Sequence, residues 1–216
     1  MTAGDAVARA RTTAGDAVAA AATAAGDPYD AVILAGGAAS RLGGADKPGM
    51  LVGGRSLVSR VGAAVADAER IVLVGPDRPE LPGAITVRED PPGSGPVPAL
   101  RAGLAQVRAP SVAVLAADLP FLTTNDVDAL RRRAHGRSGA VFVDDGDRPQ
   151  WLAGVWRTAT LRAALAGYPG ASLRGLMAPL EPARLLAAGH RRPAWYDCDT
   201  EDDVAEAARL IEENGA

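Results

Sequence analysis

Cysteine, histidine and aromatic residues are scarce in this sequence. Cys198 is the one cysteine among 216 residues, so the chain can form neither an internal disulfide nor a cysteine-based metal cluster. The two histidines, His135 and His190, do not make a zinc site by themselves. Aromatic residues amount to only 4%, which predicts a core of alanine, valine and leucine.

A large charge imbalance and long apolar runs are also absent. The formal net charge of -3 gives no electrostatic footprint for nucleic acid, and we interpret the triplet Arg131–Arg133 as a solvated helix end. No apolar stretch reaches the length that crosses a membrane. The first residues lack the bulky apolar centre of a secretory signal and contain Asp5 and Asp16. We therefore expect a cytoplasmic protein that binds neither nucleic acid nor membrane.

Residues 1–28 form a low-complexity, alanine-rich extension. The heptapeptide TAGDAVA occurs there twice, at Thr2–Ala8 and Thr13–Ala19, and the segment offers almost no large side chains for burial. We expect this extension to be flexible or marginally helical. Residues 29–216 are predicted to form one domain, since 48% of the chain is apolar and its length suits a single core.

Beyond residue 28, short apolar runs alternate with helical periodicity. Strands buried on both faces are predicted at 31–34, 71–74, 84–87 and 112–116, with helices at 56–68, after Gly95 and at 124–133. The last third is less regular, with strands predicted at 140–143, 152–156 and 183–186 and helices at 158–168 and after Thr200. This order predicts an α/β fold with a mostly parallel central sheet and helices on both faces.

The first strand runs into a long glycine-rich loop, VILAGGAASRLGGADKPGM, at 32–50. No Gly-Lys-Ser/Thr sequence closes it as in a Walker A loop, and the adjacent Gly36 and Gly37 do not match the dinucleotide spacing. Loop amides can converge on an anion, and Arg41 and Lys47 add side-chain cations. The loop therefore predicts a phosphate site, with an ordinary strand-to-helix connection as the alternative.

An acidic residue, Asp118, comes directly after the strand at 112–116. Ligands of open α/β sheets gather at the carboxyl ends of strands, and carboxylates share Mg²⁺ with substrate phosphates. Asp118 is therefore a candidate magnesium ligand, and a turn or capping aspartate is the alternative.

Two further acidic segments allow more than one interpretation. Asp90 ends a strand before Gly95 and Pro96, where a helix N-terminus could face a ribose or a phosphate, or where the chain could simply connect a strand to a helix. Asp197 and Asp199 alternate before the last helix. They could bind a second metal or polar substrate groups, but on physical grounds helix capping is favoured.

Four segments together resemble a known family, the nucleotidyltransferases of the molybdenum cofactor guanylyltransferase type. LAGGAASRLGGADKPGM at 34–50 resembles their L-A-G-G-x-x-x-R-x-G-G-x-D-K signature, and EDPPGSGPVPAL at 89–100 their E-D-x-x-x-x-x-G-P-L-A-G-L segment. AADLPFL at 116–122 and DCDTEDDV at 197–204 resemble their D-x-P-F and late D-x-D-T-P-E-D elements. The resemblance implies a Rossmann-like, three-layer nucleotidyltransferase fold. It also implies transfer of GMP from GTP to molybdenum-bound molybdopterin, with release of pyrophosphate.

The resemblance also implies roles for individual residues. The nucleotide-binding set would be Leu34, Ala35, Gly36, Gly37, Lys47, Asp90, Gly95, Pro96 and Asp118. The catalytic residues would be Arg41, Lys47 and Asp118, of which Asp118 would hold Mg²⁺ and Arg41 would face the triphosphate. Asp197 and Asp199, in place of the family's frequent asparagines, would lie at the acceptor end. The expected partners are GTP and a phosphorylated pterin, with molybdoenzymes or molybdenum-insertion proteins as a further class.

Other functions on the same fold remain open at this point. They are a cytidylyltransferase, a sugar-phosphate or phospholactate nucleotidyltransferase, and a nucleotide-binding regulatory module without turnover. The family's cytidylyl branch tends to carry A-A-G where this chain has Ala-Gly-Gly at 35–37, which favours guanine. The presence together of Arg41, Lys47, Asp90 and Asp118 argues against a module without turnover.

Overall fold

A seven-stranded sheet forms the centre of the protein, as seen in a computed structural model that describes residues 27–36, 46–186 and 192–213. The strands are β1 (Tyr29–Leu34), β2 (Leu51–Val52), β3 (Arg55–Ser56), β4 (Arg70–Val74), β5 (Ile85–Val87), β6 (Ser111–Ala116), β7 (Gly139–Val143), β8 (Pro149–Arg157) and β9 (Ala183–Leu186). The helices are α1 (Leu57–Ala64), α2 (Pro96–Leu104), α3 (Thr124–Ala134), α4 (Thr158–Ala166), α5 (Leu173–Met177) and α6 (Glu201–Glu212). All but two residues of the predicted N-terminal extension lie outside the described residues.

The strand order of the sheet confirms the predicted α/β class. The order is β5-β4-β1-β6-β8-β7-β9, and β8 alone runs antiparallel to its two neighbours. From β1 the chain moves outward to β4 and β5, and it then returns to place β6 on the other side of β1. The strand order therefore reverses between β1 and β6. Ligands of open α/β sheets bind outside the carboxyl ends of the strands at such a point.

Both faces of the sheet are covered, which produces three layers. Along β1, Ile33 packs with α1 and α3 on one face, and Val32 packs with α2 and α4 on the other. This double burial is the reason that β1, β4 and β6 are continuous apolar runs rather than alternating patterns. At Gly103 of α2, an added Cβ would lie 2.5 Å from a methyl of Val32, so the helix lies close against the sheet.

Helix α1 ends earlier than its sequence pattern predicts. Ser56 caps it by accepting a hydrogen bond from the amide of Ser59 at 3.3 Å. The helix ends at Ala64 rather than at Ala68, since the chain must turn to enter β4. Val65 lies in the turn that follows the helix and is still fully buried. The apolar pattern of the sequence therefore continues beyond the last helical residue.

Two short elements have no counterpart in the predictions. Strands β2 and β3 form a hairpin closed by Gly53 and Gly54, both at positive φ, and each strand is only two residues long. Helix α5 is five residues long. Neither length is enough for periodicity to show in a sequence. In the part of the chain that the structure describes, no helix is long and apolar enough to cross a membrane.

Asp30 is a buried carboxylate in β1, and we expect it to stabilise the fold. It is 0% exposed and accepts hydrogen bonds from the amides of Arg108 and Ala109 at 2.5 and 3.0 Å. Asp30→Ala leaves these two amides without an acceptor and should lower the free energy of unfolding by about 2–4 kcal/mol. Urea unfolding measures the change, with Asp145→Ala, an exposed carboxylate, as the matched control. Equal stability of the two variants would contradict this role.

Candidate functional site

Three stretches of chain meet at the carboxyl ends of β1 and β6. Asp118 lies two residues beyond β6, and the amide of Ala117 donates to the carbonyl of Leu34 at 3.1 Å. The amide of Cys198 donates to the carbonyl of Asp118 at 3.2 Å. The segment before α6 is thereby joined to the loop after β6, at the point where the strand order reverses.

Lys47 links these stretches through its ammonium group. Its Nζ lies 2.5 Å from Oδ2 of Asp118 and 2.7 Å from Oδ1 of Asp199. Lys47 begins a 3-10 turn that contains Pro48, and its carbonyl accepts a hydrogen bond from the amide of Met50. The side chains of Lys47 and Asp118 are each 18% exposed, so a ligand can reach them.

The charges of this cluster do not balance among the described residues. Burial acts to lower the pKa of Lys47, but the carboxylates of Asp118 and Asp199 outweigh it and the pKa is raised. The pKa of Asp197 is also raised, by burial first and then by the negative charges of Asp199 and Asp118. One ammonium therefore faces three carboxyl groups. Such an arrangement favours a further cation.

Lys47 is also the only lysine in the sequence, which contains 22 arginines. An ammonium is a compact point charge, whereas a guanidinium is a planar fork with a different reach. A chain that uses arginine at every other basic position thus has its single lysine between the carboxylates of Asp118 and Asp199. The presence of a single lysine among so many arginines could therefore have marked Lys47 as a functional residue from the sequence alone.

The donor set at Asp118 fits a magnesium ion that is shared with a substrate. Oδ1 of Asp118 is buried and has no hydrogen-bond partner, so one carboxylate oxygen remains available. Within residues 27–36, 46–186 and 192–213, no three histidine, cysteine, aspartate or glutamate side chains are grouped so as to hold a metal. Mg²⁺ commonly binds through one or two carboxylates and completes its shell with phosphate oxygens and water.

The predicted nucleotide-binding residues at the end of β1 lie beside this cluster. The amide of Ala35 donates to the carbonyl of Val74 at 2.8 Å, so the chain still follows the sheet as it leaves β1. A Cβ on Gly75 would lie 2.9 Å from the carbonyl carbon of Ala35, so only glycine allows this close approach. Of the other loop residues predicted to bind, Gly37 and Arg41 lie outside the described residues.

The acidic side chain beside Gly36 is Glu89, which the sequence analysis did not select. A Cβ added to Gly36 would lie 3.6 Å from Oε1 of Glu89. Glu89 is 8% exposed and accepts a hydrogen bond from the amide of Gly93 at 2.8 Å, whereas Asp90 is exposed. Glu89 follows Val87 of β5 by two residues, and this spacing could have identified it as the inward side chain.

The starts of α2 and α6 agree with the sequence pattern, whereas the capping role favoured for Asp197 and Asp199 is wrong. Gly95 is the N-cap of α2 with φ of 105°, and Pro96 is the first helical residue. For α6 the N-cap is Thr200, whose hydroxyl accepts a hydrogen bond from the amide of Asp203. The capping role favoured for Asp197 and Asp199 therefore belongs to Thr200, and Asp199 instead contacts Lys47.

A small apolar cluster packs beside the site and includes Cys198, which lies between Asp197 and Asp199. Cys198 is 0% exposed and packs with Val52, Leu57, Phe121 and Leu210, which joins the β2–β3 hairpin, the loop after β6 and α6. Burial, followed by the charge of Asp118, raises the pKa of the Cys198 thiol to about 12. The thiol is therefore a small core side chain rather than a reactive group.

Comparison with known proteins shows the family of this chain. Residues 31–188 match the model of the MobA-like NTP transferase domain. The molybdenum cofactor guanylyltransferase of Bradyrhizobium sp. (strain ORS 278) is 30% identical over 193 residues, which cover 83% of this chain and 91% of that protein.

Two solved structures share the fold. Molybdopterin-guanine dinucleotide biosynthesis protein A from Archaeoglobus fulgidus has a TM-score of 0.63 at 19% identity, covering 85% of this chain and 99% of that one. The 2-C-methyl-D-erythritol 4-phosphate cytidylyltransferase of Thermus thermophilus has a TM-score of 0.64 at 20% identity, covering 86% and 99%. The matched domain, the curated relative and the strand order lead to one conclusion: the chain belongs to the MobA-like NTP transferase family.

Proposed function

We propose that this protein is a magnesium-dependent guanylyltransferase that transfers GMP from GTP to molybdenum-bound molybdopterin and releases pyrophosphate. The observation that carries the proposal is the cluster of Lys47, Asp118 and Asp199 at the reversal of the strand order. The name of the Bradyrhizobium relative supports the choice of base and acceptor. The enzyme would work in the cytoplasm, and molybdoenzymes or molybdenum-insertion proteins would receive its product.

The reaction brings two anions together, so its barrier is largely electrostatic and positional. An oxygen of the acceptor phosphate attacks the α-phosphorus of GTP, and a new phosphorus–oxygen bond forms. The bond from the α-phosphorus to the bridging oxygen breaks, and its electron pair leaves with pyrophosphate. An ionised phosphate is already a nucleophile, so no side chain has to remove a proton from it.

Lys47 would neutralise the phosphates during this transfer. Its ammonium is held between two carboxylates and stays charged, because their negative charges raise its pKa. When the triphosphate binds, the ammonium would share its hydrogen bonds between Asp118 and the phosphate oxygens. Arg41 and the amides of the glycine loop are predicted to stabilise the departing pyrophosphate.

Asp118 would hold Mg²⁺ through its unpaired Oδ1, and the bound ion would supply positive charge against the phosphate oxygens. Asp199 is joined to Asp118 through Lys47, and Asp197 lies close enough for the charge of Asp118 to raise its pKa. Both aspartates would therefore border the acceptor rather than the base. Their negative charge would repel the acceptor phosphate unless a cation lies between the phosphate and the two carboxylates.

Glu89 is the side chain that we assign to recognition of the base. Guanine presents two adjacent donors, at N1 and at its exocyclic amine, and a carboxylate accepts from both. Cytosine has no such pair of donors on one edge. The Thermus cytidylyltransferase has the same fold, so the fold does not decide the base, and the choice depends on residues such as Glu89 beside Gly36. A cytidylyltransferase is accordingly the alternative function.

Asp118→Asn removes the negative charge of the carboxylate with little change in shape. Turnover should fall by about 100- to 1,000-fold, the usual loss for one electrostatic group in an active site. Pyrophosphate release from GTP, with Mg²⁺ and the molybdopterin acceptor, measures the effect, and thermal unfolding confirms that the variant folds. Asp145→Asn, an exposed carboxylate, is the matched control. Wild-type turnover by Asp118→Asn would contradict the assignment.

Glu89→Gln tests the assignment of the base. The amide keeps one acceptor but places a donor against a donor of guanine, so the kcat/KM for GTP should fall about tenfold or more while the low rate with CTP stays unchanged. The ratio of kcat/KM for GTP and CTP is the quantity to measure, with Glu69→Gln, an exposed residue, as control. An unchanged ratio would exclude Glu89 as the group that reads the base.

A further inference from the structure

A second pocket lies on the flank of the molecule, apart from the cluster at Lys47. Its volume is about 600 Å³, within the range of small-molecule sites. It lies between α1, the start of α3 and α6, and the described residues that line it include neither Lys47 nor any of the three site aspartates. The comparisons and the proposed mechanism leave this pocket without a role.

Three arginines line the pocket, and none of them has a carboxylate partner among the described residues. Arg55 donates to the carbonyl of Ser59 at 3.2 Å, and Arg60 donates to the carbonyl of Val52 at 2.9 Å through its Nε. These acceptors are neutral, so the charges remain uncompensated. Arg192 has a buried Nη2 with no hydrogen-bond partner.

The acid that lines the same pocket is already engaged. Asp126 accepts hydrogen bonds from the amide and the hydroxyl of Thr123, at 2.9 and 2.5 Å, in the capping box of α3. Its charge is therefore directed at the helix end rather than at the arginines. The first turn of α3 also borders the pocket, and the N-terminus of a helix carries partial positive charge.

The guanidinium of Arg60 lies close enough to Arg55 and Arg192 to be repelled by both. Burial lowers the pKa of Arg60, and the positive charges of Arg55 and Arg192 lower it further. An anion bound between the groups would relieve this repulsion. Phosphate is the anion that arginine forks match best, because two N–H groups meet two oxygens.

Apolar side chains form the rest of the wall. Phe121, Leu122 and Ile211 line the pocket, and the Arg192 guanidinium lies 5.9 Å from the centre of the Phe121 ring. This wall suits an organic body rather than a bare inorganic ion. The positive charge of the arginines and the apolar wall together fit a molecule with a phosphate at one end and an apolar or planar group at the other.

We propose that this pocket is a second binding site, for a phosphorylated small molecule whose phosphate lies among Arg55, Arg60 and Arg192 and whose organic part packs against Phe121 and Ile211. The site does not depend on the proposed function. The two sites are linked along the chain, since Phe121 lies three residues after Asp118 and packs on Tyr196 with ring centres 5.4 Å apart. Tyr196 directly precedes Asp197 in the chain.

The test uses two probes, inorganic phosphate and phenyl phosphate, in the absence of magnesium. Amide NMR shifts report on the pocket through Thr123 and Thr124 and on the first site through Gly93. We expect saturable shifts at Thr123 and Thr124, with phenyl phosphate binding more tightly than phosphate. The double variant Arg55→Gln/Arg192→Gln should weaken the binding of both probes at least tenfold. Arg60 is left in place because it holds the carbonyl of Val52.

The matched control is Arg132→Gln/Arg133→Gln, which removes the same charge from two exposed positions near the other end of α3. It should bind both probes as the wild type does. Lys47→Ala should also keep the shifts at Thr123 and Thr124, whatever happens to its turnover of GTP, which separates this proposal from the proposed function. Equal binding by the Arg55/Arg192 double variant and the wild type would overturn the site, as would the absence of shifts at Thr123 and Thr124. Equal affinity for the two probes would overturn the assignment of an organic body.

Discussion

The ion pairs from the Lys47 ammonium to Asp118 and Asp199 are the interaction on which the site depends. They connect a turn near the start of the domain, the loop after β6 and the segment before the last helix. The sheet supplies the frame, because β1 and β6 are neighbours although they are distant in sequence. Without the reversal of strand order between them, the end of β1 and Asp118 would not lie at the same crevice.

The apolar cluster around Cys198 explains why this arrangement is stable. In the carboxyl-rich segment 197–199 the central side chain, Cys198, is fully buried, so it anchors the two aspartates that flank it. The anchor orients Asp199 towards Lys47, and the amide of the same cysteine fixes the loop of Asp118. The packing of Cys198 and the ion pairs of Lys47 therefore hold the same two segments together. Disruption of the core here would alter the site directly.

Much of the fold follows from local sequence patterns, and the reasons are specific. The runs at 31–34, 71–74 and 112–116 are apolar throughout because helices cover both faces of the sheet, so they could be recognised as buried strands. The β2–β3 hairpin could not be recognised, because two-residue strands have no period. The antiparallel direction of β8 could not be predicted either, because an apolar run looks the same in parallel and antiparallel strands.

The site was predictable in its residue types but not in its contacts. Spacing and composition selected Lys47 and Asp118, yet no pattern shows that one ammonium bridges two carboxylates from distant segments. Asp90 was predicted to lie at the site because it ends a predicted strand, whereas the fold buries its neighbour Glu89 beside Gly36. Arg55 and Arg60 of this pocket come from consecutive elements, β3 and α1, but Arg192 lies far away in the sequence and only the fold brings it to the same pocket.

The central claim is that Lys47 lies at the phosphates of a bound guanine nucleotide. Since the chain has one lysine, acetylation of its ε-amine can be followed by mass spectrometry without interference from other lysines. The measurement compares the acetylation rate of Lys47 in the free protein, with magnesium GTP and with magnesium CTP. The account predicts that GTP slows the reaction at least tenfold and that CTP at the same concentration has little effect. An acetylation rate that GTP leaves unchanged, or stronger protection by CTP, would contradict it.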